Sequence, residues 1–598
     1  MAKPNHVLFL LPLSCLAALP PHPSFLLPED VLPVRHTLEL SIDPNLPAYE
    51  GKVAIDVELR KPSALIWVNG RNLIPKESSV EFGGRNLPAR VEPMGGEFLA
   101  VRLDSAIGPG RATVRIAFQG RLDEHGVLAA YRRKVDGDWY VYTTFTPIEA
   151  RRAFPCFDEP RFKTPWDISI RVPPGEKAFS NGREMEQTKG ADGWSLIRFA
   201  TTEPLASEVV AFGVGPFDVL EDDPEGSRPQ IRVITPKGRS AEGKAAIEAG
   251  KDVLPKLEAY TGLPYAFGKL DFLAMAESAF GAVENPGLVT FMSRELLTVP
   301  GTENTVRMAN LRLLEAHELG HQWFGDLVTQ ATWADVWLSE GFATWISQKI
   351  MDQEQIPERK HLFAIASRER IMKVDESPKT RPVRLDIHDR EASKDIYNRM
   401  VYDKGGSVLM MLEGWLGEDN VRAAARAYLQ EHLFGNATTA DFEADLKRAS
   451  GVDPSAVMHA FLDMTGIPRV AAKVKCDEVA RVVEIKVTGP APVPVCWRTA
   501  AGTGQCTVMD TSTRDIRLPG CPAWIYPNAG GGGYYRTAWT AEQLGSLPLD
   551  RLTAAERLTL AFDLRAQTTD RGAAHAVLTK LAKDPEAEVS AAAKAGLK

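Results

Sequence analysis

The spacing of apolar residues changes near residue 240, and that change constrains the fold of this 598-residue chain more than any other feature. Before it, "HTLELSID", "KVAIDVEL", "ATVRIAF", "WDISIRV" and "VVAFGVG" alternate apolar and polar residues between Gly, Pro, Asn and Asp turns. A strand with one buried face needs that period of two. After it, "RSAEGKAAIEAGKDVLPKLEAY", "TVRMANLRLLEAHELGHQWFGDL", "WADVWLSEGFATWISQKI" and "GGSVLMMLEGWL" carry apolar residues three and four apart, the helical period. Strand-like text returns near 470 to 540, and the last fifty residues are helical again. The expectation is a multidomain α+β chain: an N-terminal antiparallel β domain at 28–215, a helix-rich domain at 216–465, a small β-sandwich at 466–540 and a short C-terminal helical segment at 541–598. One core does not serve a chain of this length.

Charge and cysteines narrow the setting. The net charge of −8 is dispersed, with no basic stripe, which argues against nucleic acid as a partner. At the N-terminus, Lys3 precedes the apolar run "VLFLLPLSCLAAL", the size of a signal-peptide core and too short to span a bilayer. Residues 1–25 are therefore read as a signal or lipoprotein signal segment, with Cys15 as the candidate lipid anchor and a cytoplasmic chain with an apolar N-terminus as the alternative. Cys476, Cys496, Cys506 and Cys521 fall in one short strand-like region and suggest two disulfides of an exported protein, with three pairings open. No Cys-x-x-Cys spacing supports a structural zinc there. The glycine run of "PNAGGGGYYR" lacks the Lys-Ser/Thr and helix of a phosphate loop and reads as a flexible hairpin turn. "NATTADF" (436–442) reads as a turn and helix cap.

The chemistry concentrates in "HELGH", 317–321. Four residues apart on a helix, His317 and His321 share one face and present two imidazoles to one ion, with Glu318 beside them as a proton acceptor. The motif alone is weak. Roughly one chain in a hundred with this many histidines contains it by chance, usually on a polar surface. Here it lies among bulky apolar residues (Trp323, Phe324, Leu327), where unsatisfied polar groups are costly. Glu340, in the apolar helix "WADVWLSEGFATW", supplies a third ligand and leaves a fourth position open.

With these residues in place, the chain resembles the gluzincin aminopeptidase family, relatives of aminopeptidase N and leukotriene hydrolase. "GAVENPGLVTF" (281–291) is similar to the family's Gly-x-Met-Glu-Asn motif, "YDKGGSVLMML" (402–412) to its Tyr-x-Lys-Gly segment, and "ARRAFPCFDEPRFKTPWDISI" (150–170) to the signature of its β domain. The resemblance implies a thermolysin-like catalytic domain and a zinc-dependent aminopeptidase with one Zn2+ held by His317, His321 and Glu340. It implies Glu318 as general base and then acid, and Tyr402 as oxyanion donor. Gly281, Ala282, Glu284 and Asn285 would bind a peptide with a free N-terminus, Glu284 taking the α-amine.

Departures from the family pattern matter. Gln-x-Glu often precedes the "ARRAF" stretch in the family, whereas this sequence has Thr144 and Thr146, and Glu149 is out of register. Weaker amine recognition, or a compensating acid elsewhere, is expected. Val283 replaces methionine and Ser339 replaces asparagine. Many members continue as a helical roof over the active-site cavity; this sequence stops at Lys598, so the expectation is an open cavity, a vestigial roof or one from another chain. Epoxide hydrolysis, known in one branch, disagrees mildly with Ala282. A silent scaffold disagrees with the retained ligands and base, and an endopeptidase has no use for "GAVEN".

Overall fold

The computed structural model describes residues 22–223, 229–353, 355, 360–476, 481–518 and 520–598, so the apolar N-terminal run and Cys15 lie outside the described residues. No helix in the described part is long and apolar enough to cross a membrane.

Strands dominate the first two hundred residues. An eight-stranded sheet is centred on Trp166–Val172, Val31–Ser41, Ala48–Leu59 and Gly110–Arg121, side by side in that order. Ala48–Leu59 alternates buried and exposed residues along its length, as the period of two requires. The pairing is antiparallel with one exception: Val31–Ser41 runs parallel to Trp166–Val172. Against that seam His36 stacks on Trp166 at 4.1 Å, its Nδ1 2.8 Å from Thr164 Oγ1. A four-stranded and a three-stranded sheet complete this β-rich part.

The helix-rich part contains a sheet that the helical period conceals. Its five strands run in the order Asp218–Glu221, Ile231–Thr235, Leu270–Met275, Leu288–Met292, Ala282–Val283. Leu270–Met275 is buried at every position, so it shows continuous apolar text rather than alternation. The two-residue strand Ala282–Val283 is the sheet's edge.

Three helices matter for the site: α1 (Thr305–His321), α2 (Trp337–Asp352) and α3 (Gly405–Leu416). Asn304 caps α1 by accepting from the Arg307 N–H. The helical text continues to Leu327, but α1 stops at His321, and Gly325 then takes a φ of 129°, which favours glycine. Bulk apolar residues therefore mark a buried turn there as well as a helix.

Beyond residue 466, two small sheets pack beside four C-terminal helices. Two disulfides join Cys476 to Cys521 and Cys496 to Cys506, while Cys156 is a buried free thiol. The glycine-rich loop is not a free hairpin turn. Arg368 Nη1 donates to the Gly531 and Gly533 carbonyls, and Tyr534 and Tyr535 are buried beside it. Thr438 forms a capping box with Asp441, as the "NATTADF" text suggests.

Candidate active site

Three ligand-type atoms converge where α1 meets α2. His317 Nε2 and His321 Nε2 are 3.2 Å apart, and Glu340 Oε2 lies 3.4 and 3.2 Å from them. Those separations match the edge of a tetrahedron with bonds of about 2.0 Å, which is about 3.3 Å. Glu340 Oε2 is buried and makes no well-formed hydrogen bond. His321 Nδ1 is 3.1 Å from the Phe324 carbonyl and 2.9 Å from Ser339 Oγ, so its proton belongs on Nδ1 and Nε2 is left with a free lone pair. Two imidazole nitrogens and one carboxylate oxygen suit zinc and leave one position open.

Burial works against the charge of Glu340, but the two rings outweigh it and pull its pKa down to about 2. The other acids behave differently. Burial pushes Glu318 well above the usual carboxylate range, and it raises Glu284 as well. One ligand atom each from Glu284, Glu318 and His321 lies within 4.8 Å of the others. Among the described residues neither Glu284 nor Glu318 has a Lys or Arg at ion-pair distance, so the charge of these two acids has no fixed Lys or Arg partner. It suits cations.

A cavity of about 200 Å³ opens on this cluster, walled by Gly281, Ala282, Val283 and Glu284 on one side and Tyr397 and Tyr402 on another. The edge strand presents the wall: Ala282 pairs with Phe291 and Val283 with Thr290, and Met292 N–H donates to the Gly281 carbonyl. Nothing lies within 4 Å of where a Gly281 side chain would begin, so that stretch of backbone stays approachable. Gln322 Nε2, from the turn after α1, donates to the Glu284 carbonyl at 2.6 Å and ties the strand end to the histidine helix.

Asn285, expected beside Glu284 as a substrate contact, does not line this cavity. Its side chain is buried and donates to Thr290 Oγ1 at 3.1 Å, bracing the turn instead. Tyr402 sits in a π-helical turn, Met400–Lys404, just before α3, with its ring stacked on His317 at 5.9 Å. Single π turns often mark functional sites, and this one turns the phenol toward the cluster. Lys404, two residues on, is buried against Asp375 at 2.8 Å, which in turn accepts from Tyr534. A second cavity of about 710 Å³ shares His317 and Leu314 with the first and extends past Thr344 and Arg370.

Several contributors carry no motif. Ser339 donates to the Phe324 carbonyl and accepts from His321, a role invisible without the fold. Tyr397, five residues before Tyr402, shares its cavity. Thr144 and Thr146 are both buried, and Glu149 is committed to Arg152 at 2.7 Å and Arg390 at 3.1 Å.

Comparison with known proteins agrees in two segments. The peptidase M1 N-terminal domain matches residues 32–208, and the peptidase family M1 domain matches residues 245–461. Aminopeptidase M1-A of Oryza sativa subsp. japonica is 29% identical over 570 residues, 90% of this chain and 64% of that protein. Aminopeptidase M1 of Arabidopsis thaliana is 29% identical over 549 residues, covering 86% and 62%. "Aminopeptidase 2, mitochondrial" of Saccharomyces cerevisiae is 28% identical over 571 residues, covering 90% and 58%. The chain thus spans less than two thirds of the length of these relatives.

Proposed function

The chain belongs to peptidase family M1, whose two models together match about two thirds of it, and from that premise we propose a zinc-dependent aminopeptidase that hydrolyses the first peptide bond of peptides with a free N-terminus. The observation that carries the reading is the Glu284 carboxylate at the end of an edge strand, beside the His317, His321 and Glu340 cluster. A carboxylate there pairs with an α-ammonium and sets the first carbonyl over the cluster, so chain length on the amine side is limited to one residue.

His317, His321 and Glu340 would hold one zinc ion. Zinc, when bound, supplies an acidified water and polarises the scissile carbonyl. The chain's own groups do the rest. The peptide backbone extends along Gly281 and Ala282 as an added strand. Glu318 takes a proton from the attacking water as its oxygen bonds to the carbonyl carbon. The Tyr402 hydroxyl donates to the carbonyl oxygen as that oxygen gains charge. Glu318 then delivers the proton to the leaving nitrogen as the C–N bond breaks, which frees the first residue and the shortened peptide. Chelator treatment of the purified protein tests the reading: hydrolysis of a fluorogenic leucine amide should vanish and return with about one zinc per chain. Hydrolysis that persists in metal-free protein would contradict it.

Two cystine pairs favour an exported enzyme, since such bonds persist in oxidising compartments. Thiol titration of unfolded protein from its native source should leave Cys476, Cys496, Cys506 and Cys521 unreactive. Reaction of all four would return the cytoplasmic alternative.

A further inference from the structure

Lys404 is a buried cation for which the steps above have no use. It closes the π-helical turn Met400–Lys404 that carries Tyr402, and its side chain is withdrawn from solvent. Its Nζ donates to Asp375 at 2.8 Å and to the Met464 carbonyl at 3.1 Å, and lies 5.5 Å from the centre of the Tyr534 ring. Asp375 is equally buried and fully engaged. One of its oxygens accepts from the Gly466 N–H at 2.9 Å and from Thr380 Oγ1 at 3.2 Å; the other accepts from the Tyr534 hydroxyl at 3.1 Å. Among the described residues Lys404 is the only Lys or Arg paired with it.

A buried ion pair is weak evidence for stability, because desolvation offsets most of the attraction. What this pair holds matters more. Asp375 ends the helix Leu362–Asp375, and that helix grips the turn at a second point, where Ser367 Oγ donates to Asp403 at 2.9 Å. Two adjacent residues of the turn, Asp403 and Lys404, are thus tied to one helix at points about 12 Å apart along its axis. Position and rotation of the turn are both fixed. Rotation matters because a π turn holds one residue more than an α turn. Each residue of an α-helix turns through about 100°, so relaxation to α geometry would swing Tyr402 by about that angle, off its stack on His317. Its hydroxyl acts as a donor only where the carbonyl oxygen gains charge.

We propose that Lys404 is a positioning residue: its buried pair with Asp375 holds the π turn in register and so aims the Tyr402 hydroxyl at the scissile carbonyl oxygen. The inference rests on the aminopeptidase reading above and adds to it the layer behind Tyr402. Through Gly466 and Tyr534, the region of the small C-terminal sheets bears on the reaction without lining its cavity.

The test uses the zinc-loaded full chain and a fluorogenic leucine amide. Lys404→Met strands a buried carboxylate, so the double variant Lys404→Met with Asp375→Asn, which strands none, is made beside it. Both are made again in a Tyr402→Phe background, and kcat, KM, zinc content and melting temperature are read for each. With Tyr402 present, both should lower kcat by about 10- to 100-fold, the cost of up to an ångström of misplacement, with KM and zinc content nearly constant. In the Tyr402→Phe background neither should lower kcat further, because the hydroxyl they misaim is already gone. Wild-type kcat in both would overturn the proposal. An equal fall with and without the hydroxyl would make the pair a general structural brace and overturn it too, as would loss of zinc or of the folded state in both. A wild type that does not cleave the amide would remove the aminopeptidase reading itself.

Discussion

His321 keeps one ring nitrogen for an ion because the other is engaged by the Phe324 carbonyl and Ser339. Such outer contacts fix tautomer and ring plane, and losing one costs about 10- to 100-fold in metal affinity. Ser339→Ala should lower zinc affinity by that amount in chelator competition while melting changes little; unchanged affinity would mean the backbone carbonyl suffices. Glu318→Gln should retain zinc but lose about 10²–10⁴ in kcat. Tyr402→Phe should lose about 10²–10³ with KM nearly constant, and a pure KM effect would remove it from the reaction. At this scale the sequence was legible where chemistry and helical spacing coincide, at His317, His321 and Glu340. The Asn285 side chain braces its own turn, which "GAVEN" does not foretell because a motif names a segment without saying which side chains face inward. Ser339 and Tyr397 escaped because their contacts exist only once the chain is folded.

Among elements, the crossing of α2 with the start of α3 sets the distance between Glu340 and Tyr402. A Cβ on Gly341 would fall 3.1 Å from the Gly405 Cα and 3.2 Å from the Val401 carbonyl, so the two backbones nearly touch. Gly341→Ala must push them apart. The shift needed is a few tenths of an ångström, so kcat should fall by less than the about 10²-fold that a full ångström of misplacement costs, and the melting temperature should fall as well. Wild-type kcat in that variant would mean the crossing does not set the geometry. Strand and helix periods announced the β-rich and helical parts, but the central sheet was hidden. Leu270–Met275 is buried on both faces and carries no alternation, and the two-residue edge strand is too short to show a period.

For the whole molecule, the β-rich part does more than precede the catalytic helices. Lys163 is half-buried and donates to the carbonyls of Asp326, Leu327 and Gly435, fastening the "FKTPWD" stretch to the turn after α1. Arg390 reaches back to Glu97 and Glu149, and Asn181 donates to the Pro286 carbonyl beside the edge strand. Acid should loosen this assembly through His36, whose burial lowers its pKa from 6.5 to about 3. A depressed folded pKa gives stability that is present above pH 6.5 and lost as pH falls toward 3, at about 1.4 kcal/mol per unit at most. His36→Phe should flatten the fall in melting temperature between pH 6.5 and 4; an unchanged slope would place the acid sensitivity elsewhere. Domain order was readable because periodicity sums over many residues, whereas these cross-links join positions more than a hundred residues apart.

In the proposed enzyme a free α-amine is read beside a three-ligand zinc site, and a single pair of substrates separates that from cleavage blind to the amine. Purified enzyme is given a fluorogenic leucine amide and the same compound with its amine acetylated. Only the free-amine compound should be cleaved. Equal cleavage of both would contradict it, because Glu284 would then set no limit on the chain.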